Sequence, residues 1–169
     1  GLTYPGCELR CAKSVEEVIQ YETPETVAAV LVESVVGTNG LIVPPDGYMQ
    51  YLRDICTRNG VVFIADEIMS GFGRTGKWFA VDYWNVVPDM ITMAKGLTSG
   101  YVPLGAIAIS KKITDVLDKQ MLWAGLTYYA HPLACATAIA TLQVYKDDQL
   151  MENATAMGNV VRRELEAIK

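Results

Sequence analysis

Half of the 169 residues are apolar (51%) and one-fifth are charged (20%), proportions that exclude a disordered or fibrous chain and allow one domain with a buried core. Lys and Arg number 14 against 19 Asp and Glu, a net charge of −5. Without a basic excess or a basic run, nucleic acid and anionic membranes are poor partners.

No charged segment followed by an apolar one opens the chain at Gly1, so no secretory or transit peptide is expected in it. Both ends read as cut from something longer, the second inside a helical pattern at Lys169. Ser14 and Glu17 form a capping box for a short helix over SVEEVIQY. After the Thr23-Pro24 break, VAAVLVE (27–33) is a continuous apolar run with β-branched residues, which predicts a strand buried on both faces. The loop SVVGTNGLIVPP follows. Asp46 stands where it would cap a helix whose Tyr48, Tyr51, Leu52, Ile55 and Cys56 make one apolar stripe. Gly60 falls at the expected left-handed C-terminal position. VVFIAD (61–66) is a second buried strand, and the order strand, helix, strand predicts a parallel unit.

A loop punctuated by Gly71, Gly73 and Gly76 leads to an aromatic segment around Trp78, Phe79, Tyr83 and Trp84. MITMA (90–94) is a third strand ending at Lys95, and LGAIAI (104–109) a fourth. Ser110 is placed to cap a helix over KKITDVLDK. From Gln120 to Tyr145 there is no charge, a stretch long enough to span a bilayer, but Gly125, Thr127, His131, Pro132, Thr137, Thr141 and Gln143 interrupt it. A loop and then a buried helix of small residues, with Pro132 as its first residue and Tyr145 near its end, is the better reading. Leu150, Ala154, Met157, Val161, Leu165 and Ile168 share one face of a last helix. The fold class is α/β, a mostly parallel sheet flanked by helices.

Cys7, Cys11, Cys56 and Cys135 form no repeated C-x-x-C, and His131 is the single histidine. A metal site would need more ligands, and free thiols in a reducing, cytoplasmic compartment fit better than a Cys7–Cys11 bridge.

In open α/β sheets ligands bind beyond the carboxyl ends of the strands. Asp66 closes the second strand and Lys95 the third. If those strands are neighbours, a carboxylate and an amine enter one crevice, an arrangement suited to pyridoxal phosphate: a lysine for its aldehyde and a carboxylate for its ring nitrogen. The apolar strand before Lys95 supplies the desolvation that makes an amine nucleophilic. On strand position alone, Asp66 also reads as a turn cap and Lys95 as a surface lysine.

ADEIMSGFGRTGKWFA (65–80), VVPDMITMAKGLTSGYVPLGA (86–106) and LTYYAHPLACATA (126–138) closely resemble the class III aminotransferases, the ω-amino acid and ornithine-type enzymes of the fold type I pyridoxal-phosphate group, and VLVESVVGTNG (30–40) matches a fourth block. The resemblance implies that Lys95 binds the cofactor and shuttles a proton, that Asp66 partners the pyridinium, and that Ile68 packs on the ring face opposite the substrate. It also implies that Thr127 reaches a neighbour's cofactor phosphate across a homodimer interface and that Glu33 lies near the substrate entrance. The same residues have plainer readings. Glu33 fits a structural ion pair, Thr127 a loop-backbone bond, and His131 a helix start or core position. Arg74 fits loop geometry or an interface ion pair, with no catalytic role.

Met69 stands where many family members carry a glutamine, and a thioether cannot donate that hydrogen bond. The resemblance associates an apolar residue there with members that use pyruvate and ω-amines. Ser34 replaces a frequent proline. Ala130 replaces a frequent glycine, which matters if the backbone there needs a positive φ. By resemblance, residues 1–169 are a segment of the cofactor-binding large domain, with the N-terminal phosphate-binding part and the C-terminal small domain absent. The expected activity is transfer of an amino group from an ω-amino acid or amine to a keto acid such as pyruvate. An aminomutase or decarboxylating aminotransferase of the same family, or a truncated non-catalytic fragment, are the rival readings.

Overall fold

The computed structural model describes residues 3–168. Strands β1 (Ala29–Glu33), β2 (Val62–Asp66), β3 (Met90–Met93) and β4 (Ala106–Ile109) form one sheet in the order β1-β2-β3-β4. The β1–β2 and β2–β3 pairings are parallel and β3–β4 is antiparallel. The helices are α1 (Arg10–Tyr21), α2 (Tyr48–Asn59), α3 (Lys111–Leu117), α4 (Pro132–Asp147) and α5 (Leu150–Ile168).

Side chains alternate across a pleated sheet, and the alternation divides this one clearly. Val30, Val32, Phe63 and Ala65 face α1 and α2, where Ala12, Ile19, Met49, Leu52, Ile55 and Cys56 complete the main core. Burying Phe63, Leu52 and Ile55 fully contributes about 1.5–3 kcal/mol each. Burial also pushes the Cys56 thiol up to about 11. All four cysteines are free, as the sequence predicts.

The other face is open. Leu31 on β1 is 61% exposed and Ile107 on β4 is 60% exposed. The expectation of a first strand buried on both faces over 27–33 is therefore corrected: β1 begins at Ala29, lies at the sheet edge, and has one covered face. β4 likewise begins at Ala106 rather than Leu104.

Several predicted helix starts are also corrected. α1 begins at Arg10, entered through Leu9 in a left-handed conformation, so Ser14 is interior and its hydroxyl donates to the Cys11 carbonyl at 2.9 Å. No capping box forms with Glu17. At α2 the cap position is Gly47 (φ 82°) rather than Asp46, because the turn demands a positive φ that glycine adopts without strain. Gly60 ends α2 in the expected left-handed conformation. Ser110 does hold the cap position of α3, but its hydroxyl makes no capping bond and is buried without a partner among the described residues. α3 ends at Leu117, short of the predicted Lys119.

α4 starts at Pro132 as predicted and runs to Asp147, two residues further than expected. It is not the buried helix expected: among its residues only Ala134 and Ala138 are buried, because only one side packs on the protein. The apolar face of α5 is likewise largely uncovered, with only Met151 buried. Among the described residues no helix is long and apolar enough to cross a membrane.

Candidate active site

The strand pairings settle the question left open by the sequence: β2 and β3 are parallel neighbours. Their carboxyl ends, and that of β1, form a row in which Glu33 pairs in register with Asp66, and Asp66 with Thr92. Lys95 follows Thr92 by three residues and opens a short 3₁₀ turn (Lys95–Leu97). Its φ of 42° lies in the left-handed region, uncommon for a residue with a side chain and typical of positions held for function. Its side chain is exposed and makes no hydrogen bond or ion pair with the described residues.

Lys95 lines a cleft of about 700 Å³ together with Met69, Phe72, Arg74, Tyr145 and Asn153. The walls come from the glycine-punctuated loop, the Lys95 turn, the end of α4 and the start of α5. Gly96 cannot carry a side chain here, since a Cβ would lie 2.7 Å from the Cβ of Phe72. Tyr145 braces the same turn: its hydroxyl donates to the Gly96 carbonyl at 3.1 Å and pairs with the Ser99 hydroxyl at 3.2 Å, while its ring stacks on Phe72 with centroids 6.1 Å apart.

Asp66 is half-buried. Its Oδ1 accepts the Ile68 amide at 2.9 Å, which turns the chain after β2 and leaves Oδ2 without a donor among the described residues. Ile68 is half-buried beside it. Neither lines the Lys95 cleft. Glu33 Oε2 accepts the Gly37 amide at 2.8 Å, and Met69 packs against Gly37. Glu33 thus closes the turn after β1, with no ion pair among the described residues. Thr127 is not brought to Lys95: it lies in an exposed hollow between Leu104 and Ala130. Ala130 has φ 53°, so the position where the family often has glycine does carry the left-handed backbone. His131 sits at the start of α4. Arg74 is exposed in the cleft wall and forms no ion pair with the described residues.

Three residues of this region escape a reading by motif. Glu67 is fully buried and its two oxygens accept four bonds, from the Ser34 and Ser70 hydroxyls and the Ala80 and Val81 amides. Alternation carries the signal for it: Phe63, Ala65 and Glu67 share the buried side. Thr92 has a shielded hydroxyl with no partner among the described residues. Tyr145 gives no local signal, since its partners are about 50 residues away in sequence. No group of three or more possible metal-ligating side chains occurs among the described residues.

The donor set fits pyridoxal phosphate: an accessible amine in an aromatic-lined cleft and, outside that cleft at the end of the adjacent parallel strand, a carboxylate with one oxygen that has no donor among the described residues. Comparison with known proteins agrees. Residues 5–169 match the family model of the class III aminotransferases. An omega-aminotransferase of Caulobacter vibrioides is 44% identical over 86% of this chain and 34% of its own length. Gamma aminobutyrate transaminase 2 of Solanum lycopersicum is 37% identical over 94% of this chain and 36% of its own. Among solved structures, a transaminase from the marine bacterium Virgibacillus superposes with a TM-score of 0.91 at 40% identity, covering 94% of this chain and 37% of that one. A taurine:2-oxoglutarate aminotransferase from Bifidobacterium kashiwanohense, solved with PLP and glutamate, gives 0.91 at 42%, covering 99% and 39%. The chain spans about a third of the length of the curated relatives it matches. On its motifs, its fold and these matches, the chain belongs to the class III aminotransferase family.

Proposed function

We propose that the protein carrying this segment is a pyridoxal-phosphate-dependent aminotransferase that moves an amino group from an ω-amino acid or amine to a keto acid such as pyruvate. We assign residues 1–169 to its cofactor-binding large domain. The observation that carries the reading is the placement of Asp66 and Lys95 at the carboxyl ends of adjacent parallel strands, where open α/β sheets bind ligands.

The cofactor, when bound, supplies the electron sink that lets a C–H bond next to nitrogen ionise. The protein's own groups do the rest. Lys95 Nζ would hold the cofactor's aldehyde and, once released from it, would move a proton at the reacting carbon. Its exposed position in the cleft gives that amine room to move. Asp66 would accept the ring N–H on its free oxygen and so favour the protonated ring. The Ile68 amide steadies the carboxylate from Oδ1, and the Ile68 side chain packs on the ring. Met69, in the cleft wall, offers only a thioether, which supports the pyruvate and ω-amine preference. Glu33 stands at the entrance, held by its own turn.

Thr127 acts in a second copy. Its distance from the Lys95 cleft, and the exposure of Trp123, Leu126, Tyr128 and Tyr129 around it, favour a homodimer in which this segment meets the partner's cofactor phosphate. Four free thiols, with Cys11 exposed, favour a cytoplasmic location.

The test is spectroscopic. The full-length protein should show a visible band on adding pyridoxal phosphate that borohydride abolishes, and Lys95→Ala should lose that band and at least about 10³-fold of its turnover, as removal of a covalent-catalysis group does. Retention of both by Lys95→Ala refutes the assignment.

A further inference from the structure

Thr92 has no part in the roles given above, and its position is specific. It is the register partner of Asp66 on β3, so alternation puts the two side chains on the same sheet face, on strands about 4.8 Å apart. Their needs are complementary. Among the described residues the Thr92 hydroxyl, shielded from solvent, has no partner, and Asp66 has one donor, the Ile68 amide on Oδ1. A shielded hydroxyl without a partner is a net loss that an isosteric apolar residue avoids.

We propose that Thr92 is a positioning residue for Asp66: its hydroxyl donates to the Asp66 carboxylate when the site is loaded. The two carboxylate oxygens offer about four acceptor sites, enough for the Ile68 amide, the Thr92 hydroxyl and a ring N–H together. The bond fixes the carboxylate's rotation for a ring N–H. The register pairing sets the two side chains side by side on adjacent strands, the arrangement such a bond needs. This inference rests on the cofactor reading above.

The test compares Thr92→Val, which removes the hydroxyl at nearly constant shape, with Thr92→Ser, which keeps it, in the full-length protein. Two quantities are measured: the thermal midpoint without cofactor, and the dissociation constant for pyridoxal phosphate by absorbance titration. Thr92→Val should leave the midpoint unchanged or raise it, yet weaken cofactor binding about tenfold, the size of one hydrogen bond to a charged group. Thr92→Ser should bind within about twofold of the parent, a change too small to count as loss of that bond. Unchanged binding in Thr92→Val overturns the role, as does equal weakening in both variants or a midpoint that falls in step with binding. If the unsubstituted protein binds no cofactor, the proposed function fails and takes this role with it. Normal binding by the unsubstituted protein and by Thr92→Val together sinks the Thr92 role alone.

Discussion

Glu67 places a carboxylate at zero exposure without a cation beside it, and four donors make that tolerable. Those donors come from the end of β1, the loop after β2 and the 3₁₀ turn at Ala80–Trp84, so one side chain joins three segments next to Asp66. Glu67→Gln should destabilise the protein by about 3 kcal/mol, since an amide NH₂ would face two donors in place of an acceptor. Ser34→Ala and Ser70→Ala should each cost about 1–2 kcal/mol. Denaturant titration checks both, and a neutral Glu67→Gln would refute the arrangement. Lys95 and Asp66 were legible because the motif blocks and the strand ends coincide in sequence. Glu67 sits beside Asp66 in the same motif, yet its importance follows from which face it takes. That depends on the register of β2 and on Ser34, 33 residues earlier.

Among the elements, α2 is tied to the residue that precedes β3 by a partly buried ion pair. Arg53 donates to Asp89 Oδ2 at 2.8 Å and lies over the Phe63 ring at 5.4 Å, and the Phe63 amide donates to the same oxygen. Burial pushes the Asp89 carboxyl up, but the Phe63 amide and Arg53 together outweigh it, so the carboxyl sits below its ordinary range. A carboxyl lowered on folding contributes stability above its unfolded value of about 3.9, and that contribution is lost as pH falls through the folded value. The difference in thermal midpoint between the parent and Asp89→Asn should therefore be full at neutral pH and shrink below about pH 4. A gap that is constant with pH would contradict the ion pair. The same scale shows where local signals mislead. Ser14, Asp46 and Ser110 all have the chemistry of a helix cap, and none makes a capping bond. A cap depends on the backbone path into the helix, here set by Leu9 and by Gly47.

Across the molecule the apolar surface is unevenly covered. One sheet face is closed by α1 and α2, while the other shows Leu31 and Ile107, and the segment around Trp123, Leu126 and Tyr129 is largely exposed. Exposed apolar side chains clustered in one segment, as at Trp123, Leu126 and Tyr129, are the kind of surface that marks an interaction site. The homodimer proposed above assigns the Trp123–Tyr129 segment to the partner. Sedimentation of the full-length protein should give twice the chain mass, and Trp123→Glu with Leu126→Glu should shift it toward the single-chain mass. A parent protein that sediments as one chain at micromolar concentration would refute the dimer.

The runs VVFIAD and MITMA, the stripe of α2, Gly60 and Pro132 could be read directly, because hydrophobic period and turn chemistry act over a few residues. The α/β class followed from their order. Adjacency could not be read in that way: that β2 lies against β3, that Asp66 meets Thr92 in register, and that Tyr145 braces the Lys95 turn are pairings across 26 to 49 residues. Such contacts arise when the whole core packs at once, so no local window contains them. Nor does composition fix how much of β1, α4 and α5 is covered among the described residues, since an apolar face records what a segment would cover and not whether a neighbour is there.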